Sequence, residues 1–229
     1  MRALEELRYL ARGWESDGPF PAEEVAGPLA ELAEQGPAML VHACRRLIEH
    51  FPGEGVAWWL SARALSSPCP ADAIWTAAEE LAGDPTARLL VEALPGSAAV
   101  SSPGPSYAVA RALRRRRHLR HEGPSGGVPI LVISARAAGP GAVAVEPRAA
   151  AGARDAGRAG QEVWAVVERG ALLPEALWAR LLARAGSRTA TVAADVVTTG
   201  VGDRGAAPLA DLLSTPTCPP VAELLGWKS

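Results

Sequence analysis

Residues 99–121, AVSSPGPSYAVARALRRRRHLRH, decide the fold. The segment opens with a short apolar run, continues through serine, proline and glycine, and ends in an arginine-rich stretch whose apolar residues have helical spacing. A strand that passes through a small-residue loop into a helix is the first half of a βαβ unit. The segment therefore predicts the start of a Rossmann-like domain, in which ligands bind at the carboxyl ends of parallel strands.

The loop between the predicted strand and helix is a candidate anion site. A helix that begins near Ser106 directs unpaired N–H groups and the positive end of its dipole toward the loop. Ser101 and Ser102 add hydroxyl groups, and Gly104 permits a close approach of the backbone to a ligand. A tight turn with a serine cap explains the same residues. A phosphate site and a plain turn therefore both remain open.

The arginines between Arg111 and Arg120 also permit two interpretations. Helical geometry spreads them around the cylinder, with Val109 and Leu113 forming an apolar stripe. Cations in the last turns complement the helix dipole, which favours a solvated helix end. A patch that binds an acidic protein or RNA is the alternative. No aromatic residue is interleaved with these arginines and no nucleic-acid-binding module is present, so we do not expect a nucleic-acid partner.

Beyond residue 95 the apolar pattern alternates between short strands and helices. The predicted strands are 97–101, 129–134, 142–146, 162–167 and 189–197, and the predicted helices are 107–117, 148–158 and 174–184. This alternation is typical of an α/β fold with a mainly parallel sheet and flanking helices. We expect residues 96–229 to form this Rossmann-like α/β domain.

Residues 1–95 carry helical periodicity and predict an N-terminal helical domain. One helix face collects the apolar residues Leu40, Ala43, Cys44, Leu47, Ile48 and Phe51. Pro70 and Asp84 mark the starts of two further helices, with Asp84 as the capping residue. Trp58, Trp59 and Trp75 are interpreted as packing residues between these helices.

The composition restricts the class of protein. The chain has 229 residues, of which 48% are apolar and 21% charged, and a formal net charge of -2. This composition predicts a folded chain. Its small net charge produces no overall electrostatic field that would attract nucleic acid or an anionic membrane. No apolar run is long enough to span a membrane. The three cysteines lack CxxC spacing, and we expect a cytoplasmic protein. The four histidines lack the spacing of metal ligands and no GxGxxG motif opens a βαβ unit, so we expect neither a metal nor another cofactor.

Three segments, residues 99–113, 142–160 and 193–205, read AVSSPGPSYAVARAL, AVAVEPRAAAGARDAGRAG and AADVVTTGVGDRG. Together they resemble the regulatory alpha, beta and delta subunits of translation initiation factor 2B and the related isomerases of methylthioribose 1-phosphate and ribose 1,5-bisphosphate, in family order. The first resembles the segment that opens their Rossmann-like domain, and the second is similar to their strand, Glu-(Ser/Thr)-Arg-Pro turn and glycine-arginine element. The third places Asp195 like the aspartate of their Gly-Ala-Asp motif.

The resemblance implies a ligand site and a function. The residues it assigns are catalytic Asp195 and ligand-binding Ser101, Ser102, Gly104, Ser106, Glu146, Arg148, Gly152 and Arg154. Gly104 and Pro105 stand where the isomerases have a catalytic cysteine and an asparagine. The resemblance therefore favours a homodimer that binds a sugar phosphate or nucleotide without isomerase chemistry. An active aldose–ketose isomerase, or a dimeric scaffold with a basic partner-binding helix, remains the alternative.

Overall fold

The structure, a computed structural model, describes residues 3, 5–7, 9, 20–119 and 128–227. The part before the first strand is helical, as predicted. Its elements are α1 (Ala22–Glu34), α2 (Pro37–His50), α3 (Gly55–Ser66), α4 (Pro70–Ala82) and α5 (Thr86–Ala93). Proline at the first position starts α2 and α4, because a first-turn N–H needs no partner within the helix. The Asp84 carboxylate caps α5 by accepting from the Thr86 backbone N–H at 2.9 Å and from its hydroxyl at 2.6 Å.

The helical core contains most of the residues predicted for it. The face of α2 predicted to be apolar is buried, and Trp58 and Trp59 are fully buried. Their indole N–H groups donate to the Pro52 carbonyl and the Thr217 hydroxyl, respectively. Trp75 is 47% exposed, so it packs between helices only in part. The end of its ring faces Gly27 of α1, and the rest of the side chain is exposed.

The rest of the chain forms two sheets with covering helices. The elements in order are β1 (Ala99–Ser101), α6 (Tyr107–Leu119), β2 (Pro129–Ser134), β3 (Ala137–Gly139), β4 (Ala142–Val145), α7 (Pro147–Arg158), β5 (Glu162–Val166), α8 (Glu175–Ala185), β6 (Ala190–Ala193), β7 (Thr199–Gly202), β8 (Gly205–Ala207), α9 (Leu209–Leu213) and α10 (Ala222–Leu225). Two short 3₁₀ turns, Gly186–Arg188 and Ala194–Val196, flank β6.

The central sheet has the strand order β1-β2-β5-β7-β8. Its first four strands are parallel, and β8 pairs antiparallel with β7. Alternate side chains face opposite sides, because successive residues of a strand point to opposite faces. Ile130 and Val132 pack with α5 and α6, whereas Leu131 and Ile133 pack with α7. The predicted mainly parallel sheet with flanking helices is therefore confirmed.

Two segments predicted as strands lie outside that central sheet. β4 and β6 join β3 in a three-stranded antiparallel sheet. A two-residue turn at Pro140 and Gly141 connects β3 to β4, and so short a connection permits only antiparallel pairing. Gly141 has a φ of +74°, which favours glycine. Residues 194–196 form a 3₁₀ turn rather than the end of a strand.

The helical core is not confined to the first 95 residues. Its buried cluster includes Trp178 and Leu181 of α8, together with Val221 and Leu224. Helix α5, in contrast, packs on the central sheet through Leu90. A domain boundary at residue 95 therefore remains a prediction. Within the described ranges, no helix is long and apolar enough to cross a membrane.

Candidate functional site

A cavity of about 540 Å³ opens at the carboxyl ends of β1, β2 and β5. This is the edge where open α/β sheets bind ligands, and the volume is in the range of small-molecule sites. One wall is apolar and comes from the helical part, including Phe20, Val56 and Leu81. The polar part of the lining, called the polar wall, comes from both the helical part and the sheet. It contains Glu54, Asp84, Gly104, Ser106, Ser134, Arg136, Glu146, Arg148, Glu168 and Arg169.

The loop after β1 has the predicted shape at the cavity. Gly104 adopts a φ of +62°, a left-handed conformation that disfavours other residues. The Ser106 hydroxyl accepts from the Val109 backbone N–H at 3.2 Å and so caps α6. The Ser106 backbone N–H donates to the Ser134 hydroxyl at 2.9 Å, which ties this loop to the end of β2. Gly104 and Ser106 both line the cavity.

Glu146 and Arg148 reach the same cavity from the start of α7. A Cβ atom added to Gly104 would overlap the Glu146 Oε2 atom, so this carboxylate lies directly against the loop. Arg148 is exposed and forms no ion pair with any described residue. The lining of the cavity therefore includes a carboxylate and a guanidinium from the start of α7, and the guanidinium has no ion pair among the described residues.

The remaining residues implied by the family resemblance do not line this cavity. Ser101 is exposed, and the Ser102 hydroxyl donates to the Val132 carbonyl at 2.8 Å, linking β1 to β2. Gly152 faces Pro103 and Leu131 at ordinary contact distance. The two other residues are exposed. Arg154 donates to the Thr191 carbonyl at 3.2 Å, and Asp195 lies in the 3₁₀ turn after β6.

The cavity holds two carboxyl groups that the sequence did not single out, Glu54 and Glu168. Burial raises the pKa of Glu168 to about 7, and the negative charges of Asp84 and Glu54 add to this, while a hydrogen bond with Ser106 opposes it. Burial likewise raises the pKa of Glu54 to about 7 against the opposing charge of Arg136, whose Nη1 is 3.6 Å from Glu54 Oε1. With a pKa near 7, each carboxyl is only partly ionised at neutral pH. Two carboxyls with such raised pKa values in one cavity are typical of a functional site.

An ion network beside the cavity fixes the loop that carries Glu168. The Arg169 backbone N–H donates to Asp84 Oδ2 at 2.7 Å. Its guanidinium lies 2.8 Å from Asp203 Oδ2 and 3.7 Å from Glu80 Oε2, and Glu80 also pairs with Arg63. Asp84 therefore joins the start of α5 to the loop after β5. Asp203 follows β7, so the acidic residue at this edge of the central sheet is Asp203 rather than Asp195.

Sequence signals for these residues are unequal. Glu168 and Arg169 directly follow the apolar run EVWAVV, the position where polar residues at the carboxyl end of a parallel strand meet a ligand. That position could have been used to find them. Glu54 lies in a turn before α3 with no local pattern. Only the packing of the helical part against the sheet brings Glu54 to the cavity.

The described residues offer neither a metal cluster nor a reactive thiol in this region. No group of three or more His, Cys, Asp or Glu among them is arranged to hold a metal ion. Burial raises the pKa of Cys44 to about 12 and that of Cys218 to about 12, which keeps both thiols protonated. Cys69 is exposed and is not part of the cavity lining.

No protein-family model and no curated protein matches this chain. Solved structures do match. Initiation factor eIF2B beta from Chaetomium thermophilum has 19% identity and a TM-score of 0.64, covering 90% of this chain and 86% of that chain. The Pyrococcus horikoshii OT3 translation initiation factor eIF-2B has 14% identity and a TM-score of 0.63, covering 93% and 99%.

A third similar structure is the tetrameric eIF2B-beta2-delta2 complex from C. thermophilum. It has 16% identity and a TM-score of 0.62, and the match covers 93% of each chain. At these identities the likeness shows the fold alone. The chain has the fold of these eIF2B proteins, which confirms the fold expected from the three sequence segments.

Proposed function

With this fold as the premise, we propose that the chain binds a phosphorylated small molecule, a sugar phosphate or a nucleotide, at the carboxyl ends of β1, β2 and β5. The observation that carries the proposal is the convergence of cationic, acidic and hydroxyl groups on one cavity of about 540 Å³. A phosphorylated sugar needs a cation for its phosphate and acceptors for its hydroxyl groups. The polar wall supplies both kinds of group.

Arg148 is the residue we assign to the phosphate. Arg136 and Arg169 are already paired with Glu54 and with Asp203, whereas Arg148 has no ion pair among the described residues. An exposed guanidinium binds phosphate by two parallel hydrogen bonds. Glu146 lies against Gly104, and its charge opposes a second anion there. The phosphate is therefore expected beside Arg148 rather than over the glycine.

Glu54, Glu168 and Ser134 are assigned to the hydroxyl groups of the ligand. Carboxyl oxygens accept hydrogen bonds from hydroxyls, and a serine hydroxyl both donates and accepts. The apolar wall at Phe20 and Val56 covers the less polar face of a sugar or base. The role proposed here is binding without isomerase chemistry.

Thermal shifts against phosphorylated pentoses, nucleoside monophosphates and nucleotide sugars test the proposal. A ligand at 100 times its Kd stabilises the folded state by about 2.7 kcal/mol, which raises Tm by about 5–10 °C in a chain of this size. Arg148→Gln should abolish the shift. Arg154→Gln, a matched change of an exposed arginine outside the cavity, should leave it intact. The proposal is contradicted if no compound in the panel raises the Tm, or if the thermal shift is lost only in the Arg154 variant.

Aldose–ketose isomerisation is a second candidate, because Glu54 and Glu168 lie in one cavity and both have a pKa near 7. Moving a proton between neighbouring carbons needs an acid and a base that work near the operating pH. At this cavity the chemistry would rest on these two glutamates rather than on Asp195. Turnover of a phosphorylated pentose that is lost in Glu168→Gln and kept in Asp195→Asn supports this candidate. The reverse result returns the catalytic role to Asp195.

A cytoplasmic homodimer is part of the same proposal. One similar structure is a tetrameric complex of beta and delta subunits, and that assembly of chains with this fold supports the proposal of an oligomer. Light scattering should give twice the 23.7 kDa mass of the chain. A dimer that binds no member of the ligand panel favours the scaffold alternative.

A further inference from the structure

The outward face of α6 carries a continuous stripe of exposed side chains. Tyr107, Arg111, Arg114 and Arg115 occupy positions i, i+4, i+7 and i+8, which lie on one side of a helix. All four residues are exposed. The opposite side of α6 is buried against the sheet. We refer to these four residues as the α6 stripe.

The cations of the α6 stripe have no acidic partner in the part of the chain that the structure describes. Within the described ranges, Arg111, Arg114 and Arg115 form no ion pair or hydrogen bond. Some exposed arginines on other helices do form ion pairs, although Arg148 of α7 does not. The pairs are Arg46 with Glu49 at 3.0 Å, Arg88 with Glu92 at 2.7 Å and Arg158 with Asp155 at 2.8 Å.

The sequence of α6, YAVARALRRRRHL, contains no aspartate or glutamate that could pair with these arginines. Three cations within two turns raise the local potential in a chain whose net charge is -2. On α2, α5 and α7 a carboxylate three or four residues away pairs with an exposed arginine, and α6 offers no such carboxylate. The stripe is therefore suited to a polyanion.

Tyr107 indicates which class of polyanion the stripe fits best. Its ring is 50% exposed at the first turn of α6, and it precedes Arg111 by one turn on the same face. A ring followed by guanidinium groups fits bases that stack and phosphates that pair. An acidic peptide would use the arginines but would leave the ring without a partner. The tyrosine lies outside the arginine run in the sequence, so the expectation of no nucleic-acid partner did not include it.

We propose that the α6 stripe binds single-stranded nucleic acid, with a base on Tyr107 and the backbone phosphates on Arg111, Arg114 and Arg115. From Tyr107 to Arg115 the helix rises about 12 Å, so a short stretch of strand is in contact. Tyr107 also belongs to the lining of the cavity, whereas the three arginines do not, so only the phosphate contacts of the strand are separate from the site proposed for the small molecule.

Fluorescence anisotropy with an oligouridylate of about 12 nucleotides tests the inference at several salt concentrations. Each phosphate contact contributes about -0.7 to the slope of log K against log salt for a single strand, so three arginines predict a slope of about -2. Replacing all three arginines by glutamine should bring the slope close to zero and abolish binding at about 150 mM salt. Tyr107→Ala should weaken binding about 10-fold with the slope unchanged. Arg204→Gln, an exposed arginine at the β7–β8 turn, is the control and should change neither quantity.

Three outcomes overturn the inference. They are no binding at about 50 mM salt, equal binding of a polyglutamate of the same charge, and unchanged binding by the triple arginine variant. The triple variant should retain any thermal shift produced by the cavity ligand. The triple variant therefore distinguishes the two proposals, because anisotropy tests the α6 stripe and the thermal shift tests the cavity.

Discussion

Gly104 combines two constraints at one residue, a positive φ and the Glu146 carboxylate against its α-carbon. Its backbone conformation costs other residues about 1–2 kcal/mol. Contact with Glu146 adds a second, smaller cost, because the end of a glutamate side chain can rotate away. The residue therefore couples the shape of the loop to the position of a charged group in the candidate site.

Gly104→Ala is expected to lower the free energy of unfolding by about 1–3 kcal/mol, measured by urea denaturation. Gly160→Ala is the matched control. Gly160 has a φ of +67° but open space around it, so only the conformational cost applies there. Adding Glu146→Ala to Gly104→Ala should recover the difference between the two variants. Equal losses at both glycines would show that the Glu146 contact has no energetic weight.

Glu168 predicts a pH dependence of stability. Its pKa is about 7 in the folded chain against an ordinary value of 4.5, so between these values the folded state binds more protons than the unfolded state. The free energy of unfolding therefore falls as pH rises from 4.5 to 7. Glu168→Gln should remove a loss of the order of 2–3 kcal/mol between pH 5 and pH 8. Glu175→Gln, at the exposed start of α8, should retain the wild-type pH profile.

Asp84 acts at the scale of elements, because its two carboxylate oxygens have different partners. Oδ1 caps α5 through Thr86, and Oδ2 accepts from the Arg169 backbone N–H in the loop after β5. The residue therefore connects a helix end to the loop that carries Glu168. Loss of either bond leaves a buried or half-buried N–H without a partner, which is more costly than loss of an exposed one.

Asp84→Ala should destabilise the chain by about 2–3 kcal/mol, and Asp84→Asn by about half as much, because asparagine keeps the Oδ1 acceptor for α5. Thermal unfolding of both variants measures this order. Asp72→Asn, in the exposed first turn of α4, provides the reference for removing a helix N-terminal charge. Equal destabilisation by Asp84→Asn and Asp84→Ala would contradict the two-partner interpretation.

Elements were predictable from sequence where apolar side chains repeat. Leu131, Val132 and Ile133 give β2 a continuous apolar run, so its strand was evident. β3 consists of Ala-Ala-Gly and β8 of Gly-Ala-Ala, and neither composition favours a strand. These two strands form because each pairs with a neighbour in a hairpin, β3 with β4 and β8 with β7. Tertiary contacts, and not the local residue preferences, therefore determine the strand conformation of β3 and β8.

The candidate site was predictable to the extent that it follows single strands. Gly104 and Ser106 were found from the strand, loop and helix pattern of residues 99–121, and Glu146 and Arg148 from the family resemblance. Glu54 and Asp84 come from the helical part and reach the cavity only through long-range packing. Asp195 was placed by family resemblance, and the turn of residues 194–196 carries it away from the central sheet. Sequence order alone does not specify which strand ends share an edge.

At the scale of the whole molecule, residues 221–227 fasten two helices together. The Trp227 ring lies 3.8 Å from the Arg184 guanidinium of α8 and 5.7 Å from that of Arg45 of α2. Arg45 and Arg180 also donate to the Glu223 and Leu225 carbonyls. Cation–π contacts and backbone acceptors thus hold this segment over the helical core.

Trp227→Ala is expected to lower the free energy of unfolding by about 1–2 kcal/mol, measured by chemical denaturation. Trp75→Ala is the control, since Trp75 is 47% exposed and has no cation–π contact in the described part of the chain. A smaller effect at Trp227 than at Trp75 would show that the segment contributes little to the fold.

The shared helical core has a consequence for synthesis of the protein. Helices α1 to α4 leave the ribosome first, yet their buried cluster includes Leu181, Val221 and Leu224. The nascent helices must therefore wait for residues 181–224 before their apolar faces are fully covered. During that interval Trp58 and Trp59 lack part of their final surroundings, and such exposed surface is what chaperones bind. The core of these helices is thus completed by residues that are made more than 90 residues after them.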